Sequence, residues 1–96
     1  MSPSEPSNAV IHHEDDNVAI AIRPVRAGEA VVANAREVVR AAQDVAVGHK
    51  IALSAIPSGG KVYRYGEPIV EATEAIEPGV WVHVHNTRPI PGDVTA

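Results

Sequence analysis

A seven-residue pattern that recurs four times constrains the fold of this chain more than any other feature. It consists of an aliphatic residue, two variable residues, a glycine, two variable residues and a second aliphatic residue. The copies cover residues 25–31, 45–51, 56–62 and 76–82, and their glycines lie 20, 11 and 20 positions apart. A central glycine suits a tight turn with positive φ that leads the chain into a new strand. Four such turns in close succession predict an all-β domain built from short strands.

The segment between the first two glycines allows two interpretations. Residues 33–43 are rich in good helix formers, whereas Val38 and Val39 within them also suit a strand. The flanking turns match those elsewhere in the chain and favour strands. We therefore expect at most one short helix in residues 30–47.

Composition sets the expected boundaries of the domain. Residues 1–8 are rich in serine and proline, which predicts a disordered tail, and residues 88–96 contain the prolines and glycine of an extended tail. The folded domain is expected at residues 9–87. Valine, alanine and isoleucine supply most of its apolar side chains and phenylalanine is absent, so the core should be thin.

Charge and cysteine content exclude several functions. The formal net charge is −4 and the eight basic residues are scattered, which argues against nucleic acid as a partner. The absence of cysteine excludes disulfides, thiolate zinc sites and a catalytic thiol. No apolar run is long enough to cross a bilayer, and the N-terminus lacks the features of a signal peptide. We expect a soluble, cytoplasmic protein without a membrane partner.

Residues 81–86, Trp-Val-His-Val-His-Asn, have the composition of a strand. Side chains alternate along a strand, so Trp81, His83 and His85 are expected on one face. Two imidazoles on one face could bind a metal or an anionic substrate. The alternative is that both histidines are simply solvated on the polar side of an edge strand.

Two other segments concentrate polar side chains that could carry chemistry. One is the run His-His-Glu-Asp-Asp-Asn at residues 12–17, which is either a surface loop or part of a site. The other is His49-Lys50, which follows a turn glycine and could present an imidazole and an ammonium to an anion. Simple exposure of both side chains at a turn is the favoured explanation of this second pair.

Four ordered motifs resemble the small N-terminal domain of the altronate and galactarate dehydratases. They are His13-Glu-Asp-Asp16-Asn17-Val-Ala, Gly48-His49-Lys50, Tyr65-Gly66-Glu-Pro-Ile69, and the terminal run from Trp81 to Asn86. The chain is also similar to the alpha subunit of sulfolactate sulfo-lyase. The resemblance implies a β-clip fold of the kind called a SAF domain, and a role as the small subunit of a two-part lyase acting on a sugar acid.

The resemblance also implies a divided active site completed by a large catalytic subunit. We expect catalytic roles for His49 and Lys50, and a carboxylate substrate bound by residues Asp16, Asn17, Lys50 and Asn86. A divalent metal is expected on His13, His83 and His85, shared with the large subunit. Iron(II) is the first candidate, and manganese(II) and magnesium(II) are alternatives. The isolated chain is expected to be inactive.

Three other functions compete with this hypothesis. The chain could be the small subunit of a sulfolactate-type carbon–sulfur lyase, a non-catalytic β-clip binding or assembly module, or a small independent metal-binding protein.

Overall fold

The computed structural model describes residues 6–91 as an all-β domain of nine short strands. The strands are β1 (Ala9–Val10), β2 (Val18–Ala21), β3 (Ala30–Ala33), β4 (Arg36–Arg40), β5 (Lys50–Ala52), β6 (Lys61–Arg64), β7 (Glu67–Ala72), β8 (Trp81–Val82) and β9 (Thr87–Arg88). No helix occurs within these residues, so the predicted fold class is confirmed. Nothing in residues 6–91 is therefore a helix long and apolar enough to span a membrane.

Every strand pairing is antiparallel. The central sheet has the order β1-β2-β5-β8, and β3-β4 and β6-β7-β9 form two smaller sheets. The ambiguous segment at 30–47 is thus a hairpin, which turns at Asn34 and Ala35 with φ of 56° and 64°. Because two successive residues with positive φ make the two-residue turn that suits a hairpin, the chain reverses here rather than continuing as a helix.

The two faces of the central sheet bury different cores. Alternation along the strands sends Ala19 and Ile51 into a first core with Val31 of β3, and sends Val18 and Ala52 into a second core with Val62 of β6. Each smaller sheet therefore covers one face of the central sheet. The two cores contain eight and seven buried residues, all of them alanine, valine or isoleucine.

The domain consists of two repeats related by a shift of 31 residues. The amides of Gly28 and Gly59 donate to Ala41 and Ala72, both at 2.8 Å, and each acceptor lies at the end of a hairpin. The next pair of turn glycines behaves in the same way: Gly48 donates to Ala21 and Gly79 donates to Ala52. Isolated bridges close both repeats, Val25 with Val45 and Ile56 with Ile76. The equal spacing of the two glycines within each repeat reflects this internal repeat.

All four predicted turn glycines have φ between 82° and 86°, which confirms their role. The strand predicted at residues 81–86 is wrong beyond Val82, since residues 83–86 form a turn. Asn8, just before the predicted start of the folded domain, is buried, and Arg88, just after its predicted end, belongs to β9. The predicted domain boundaries stay a prediction. The outer parts of the predicted tails, residues 1–5 and 92–96, lie outside the described residues.

Candidate functional site

Four aromatic rings from two separate segments meet at one end of the central sheet. The centroid of the His83 ring lies 4.8 Å from that of His49 and 5.0 Å from that of Trp81. The His85 centroid lies 4.9 Å from that of Trp81. We call His49, Trp81, His83 and His85 the histidine cluster. Two of the segments singled out in the sequence therefore converge.

The strands of the central sheet bring the histidine cluster together. His49 follows the turn at Gly48 and directly precedes β5, which pairs with β8 through Ile51 and Trp81. The Trp81 amide also donates to Oε1 of Gln43, at 3.1 Å, which fixes the start of β8. Because β5 and β8 are neighbours, the residue before one strand lies beside the residues of the other.

Asn86 creates the turn that carries His83 and His85. Its Oδ1 accepts from the His83 amide at 2.9 Å, and its Nδ2 donates to the Trp81 carbonyl at the same distance. Thr87 closes the turn by donating its hydroxyl to the His83 carbonyl. With Asn86 only 1% exposed, its side chain is directed into the protein. Asn86 therefore has a structural role in the turn, and its predicted role in substrate binding stays a prediction.

Trp81 fixes the tautomer of His49. Its indole Nε1 donates to Nδ1 of His49 at 2.9 Å, so this nitrogen carries no proton. In the neutral imidazole the proton must then reside on Nε2. His49 is thereby a hydrogen-bond donor through Nε2.

The surroundings of the histidine cluster lower the pKa values of His83 and Lys50. The pKa of His83 lies below its ordinary value, first because of burial and then because of electrostatic repulsion from the neighbouring side chains of His49, Lys50 and His85. The pKa of Lys50 is also lowered, by burial and by the charge of Arg64. His83 at neutral pH therefore offers a ring nitrogen lone pair near the ammonium of Lys50.

The segment of Asp16 and Asn17 is placed by the β6–β7 hairpin rather than by the histidine cluster. The Asp16 carboxylate accepts from the amides of Tyr65 and Gly66, at 3.0 and 2.8 Å, and caps the hairpin turn. Asn17 donates to the Lys61 carbonyl and accepts from the Tyr63 amide. Both side chains use their polar atoms on backbone groups, so their contacts fit a structural role; their predicted role in substrate binding stays a prediction.

Asn8 makes the same contacts in the first repeat. It donates to the Ala30 carbonyl at 2.9 Å and accepts from the Val32 amide at 2.7 Å. These two partners lie 31 positions before the partners of Asn17. Two asparagines, each just before a central strand, therefore clamp the two hairpins in the same way.

The predicted metal set of His13, His83 and His85 is not assembled by this chain alone. His13 accepts from the Asp15 amide through Nδ1 and its ring lies against Gly66. Within residues 6–91, no three histidine, aspartate or glutamate side chains are placed to hold a metal together. The predicted role of His83 and His85 as metal ligands stays a prediction.

A groove of about 370 Å³ lies beside the histidine cluster and shares Trp81 with it. Its remaining walls come from residues 24–26 and 44–46, which are mostly apolar. The histidine cluster thus borders an apolar surface on one side.

Two residues that matter to the site were not singled out in the sequence. Arg64 lies on β6, and alternation places it on the same side as the buried Val62. A cationic residue at an inward-facing position of a strand is a sequence feature that can indicate a functional role. The sequence signal for the structural role of Asn8 is weaker. It is the position of Asn8 before a run of small aliphatic residues, which Asn17 shares.

Comparison with known proteins gives one family match and several curated relatives. A family model described as the altronate/galactarate dehydratase SAF domain matches residues 7–89. Over 76 residues the chain is 46% identical to the altronate dehydratase of Escherichia coli (strain K12). It is 38% identical over 72 residues to the galactarate dehydratase (L-threo-forming) of the same organism.

These matches cover most of this chain and little of the relatives. They include 79% and 73% of the chain but only 15% and 13% of the two dehydratases. A third relative, (2R)-sulfolactate sulfo-lyase subunit alpha of Paracoccus pantotrophus, is 40% identical over 45 residues. That match includes 47% of the chain and 67% of the relative.

Proposed function

Because the chain belongs to the altronate/galactarate dehydratase SAF domain family, we propose that it is the small subunit of a two-part carbon–oxygen lyase. Its substrate would be a sugar acid such as altronate or galactarate. The observation that carries this proposal is the convergence of His49 with His83 and His85 beside Lys50. These residues would form one wall of an active site that a larger catalytic subunit completes.

The reaction removes a proton α to a carboxylate and expels the β-hydroxyl as water. The Nε2–H of His49, fixed there by Trp81, would donate a hydrogen bond to the departing hydroxyl oxygen. The proton that converts this hydroxyl to water would come from a general acid of the large subunit. The ammonium of Lys50 stabilises the negative charge that develops on the carboxylate as the α-proton leaves. The base that takes the α-proton would come from the large subunit, since the described wall is rich in cations and imidazoles.

The predicted metal fits this wall only in part. His83 is held by its backbone contacts, and its lowered pKa keeps a lone pair available at neutral pH. His83 and His85 would supply two nitrogen ligands, and the large subunit would supply the others. Iron(II) suits this donor set well, with manganese(II) and magnesium(II) as alternatives. A bound divalent ion would add charge stabilisation at the carboxylate.

We propose a large partner because this domain corresponds to only a small fraction of the length of the related dehydratases. The matched region is 15% of the altronate dehydratase, and one relative that it matches is named a subunit alpha. The apolar groove shares Trp81 with the histidine cluster, so a partner that closes over the histidines also covers the groove. Without that partner we expect the chain to be inactive.

Reconstitution with the co-purifying large subunit tests the proposal. Dehydration of altronate and galactarate is followed by formation of the 2-keto-3-deoxy acid, and the double variant His83→Ala/His85→Ala is compared with wild type. We expect kcat to fall by about 10²-fold or more. The matched control is His12→Ala, because the His12 ring packs at a tilt against Tyr65, with 4.4 Å between the centroids, and is not one of the cluster rings. Full activity of the double variant would refute the assignment.

The match to the sulfo-lyase subunit supports a second candidate function. The same wall could assist loss of a β-sulfonate, in which the carbon–sulfur bond breaks and sulfite leaves. Assay of the reconstituted complex with sulfolactate separates the two candidates. Sulfite release without dehydration of either sugar acid would favour the second.

A further inference from the structure

Arg64 has a buried hydrogen-bond donor with no partner. Its Nε is the single buried side-chain nitrogen or oxygen in residues 6–91 that makes no hydrogen bond. The guanidinium lies 5.0 Å from the centroid of the Tyr65 ring, and Nη2 is 3.5 Å from the Tyr65 hydroxyl. No carboxylate in the described part of the chain forms a salt bridge with Arg64. A buried donor of this kind calls for a ligand or a water.

The strands place Lys50 at the rim of the same core as Arg64. Lys50 shares a face of β5 with Ala52, and Arg64 shares a face of β6 with Val62. Ala52 and Val62 pack together in the second core. Lys50 also has no carboxylate partner among residues 6–91. The lowered pKa of Lys50, which the charge of Arg64 helps to cause, agrees with two cations near one another.

The first repeat has no cations at the positions equivalent to Lys50 and Arg64. Ala19 and Ala33 lie 31 positions before Lys50 and Arg64, and both are fully buried. The second repeat thus replaces two packed alanines with two unpaired cations. Such a pair is unfavourable on its own, and a bound anion would relieve the repulsion.

We propose that Lys50 and Arg64 together form a binding site for one carboxylate group of the substrate. That the ligand is a sugar acid rests on the proposed function, whereas the anion site itself rests on the two cations and the orphan donor. Arg64 would bind one carboxylate oxygen through Nε and a second through its terminal nitrogen, the geometry in which guanidinium binds carboxylate. Lys50 would act as a point charge beside it.

Titration of the ¹⁵N-labelled full chain with galactarate tests the site directly. We expect saturable shifts of the Lys50 and Arg64 amides and of the Arg64 Nε–H resonance. The uncharged polyol galactitol should produce none. Arg64→Met should weaken galactarate binding by about tenfold, since a hydrogen bond to a charged group contributes on this scale. Lys61→Met, which removes an exposed cation from the same strand, should leave the affinity unchanged.

The outcomes separate this site from the proposed function. Unshifted Arg64 Nε–H in wild type, equal shifts with galactitol, or unchanged affinity in Arg64→Met would each overturn the site. The wild-type Nε–H resonance decides the matter even if the variant fails to fold. Because turnover is not measured, a complex that fails to dehydrate sugar acids would refute the proposed function while the binding result stands.

Discussion

The two repeats of this domain share a backbone and differ in their polar side chains. Both contain a glycine turn, a hairpin, an isolated bridge and a second glycine turn at equivalent positions. The strand that opens the first repeat begins with Val18 and Ala19, which are buried. At the equivalent positions the second repeat has His49 and Lys50. Two residues of the candidate site, His49 and Lys50, therefore stand where the second repeat departs from the first.

The difference separates the residues that build the frame from those that are free to carry chemistry. Residues that keep their contacts in both repeats, such as Asn8 and Asn17, belong to the frame. Residues that replace an aliphatic side chain of the other repeat, such as Lys50, are not needed for the shared backbone contacts. Substitutions at equivalent positions of the two repeats test this division.

The largest expected difference concerns the last turn glycine of each repeat. A Cβ on Gly79 would lie 2.1 Å from the Arg40 carbonyl oxygen, whereas one on Gly48 would meet nothing within 4 Å. Gly48→Ala should destabilise the domain by about 0.5–1 kcal/mol, the cost of alanine in the left-handed conformation less the entropy that glycine gives the unfolded chain. Gly79→Ala adds a backbone clash and should cost about 3 kcal/mol or more. Urea denaturation of the two variants measures the difference, and equal losses would contradict it.

The clamp asparagines should behave alike in stability. Asn8→Ala and Asn17→Ala each leave one carbonyl and one amide without a partner, which should cost about 1–3 kcal/mol. Asn8 is the more buried of the two, so its variant should be the less stable. If Asn17 belongs only to the frame, Asn17→Ala in the reconstituted complex should keep its KM. A large rise in KM with little loss of stability would instead restore the predicted substrate contact.

The sequence predicts the parts of this fold that depend on local backbone geometry. The four turn glycines and the resulting all-β class follow from residue type and spacing. The sequence does not predict where β8 ends. The Asn86 side chain accepts a hydrogen bond from the His83 amide and so starts a turn, and composition does not reveal that contact. The Asp16 carboxylate likewise binds amides 49 and 50 positions away, so its role depends on tertiary placement. Convergence of His49 with His83 required the pairing of β5 with β8.

A smaller difference lies in the hairpin turns. Ala35 has φ of 64°, whereas its equivalent in the second repeat is Gly66, with φ of 76°. Alanine in this conformation costs about 1–2 kcal/mol. Glycine recovers this cost but adds about 0.4–1 kcal/mol of unfolded-state entropy. Ala35→Gly should therefore stabilise the domain by about 0.5–1 kcal/mol in thermal or urea unfolding. The reverse change, Gly66→Ala, should destabilise it, because the new Cβ would lie 3.0 Å from the His13 ring.

The subtlest test makes the second repeat resemble the first by removing the charge of Lys50. A nearby cation disfavours the protonated imidazole, so Lys50→Met should raise the pKa of His83. The rise should be partial, because burial and His49 act in the same direction and remain. NMR titration of the His83 ring measures the change, with Lys61→Met as the control. An unchanged or lower pKa would show that Lys50 does not act on the histidine cluster. A raised pKa would mean that Lys50 helps keep His83 neutral, the form in which its nitrogen can bind a metal shared with the partner.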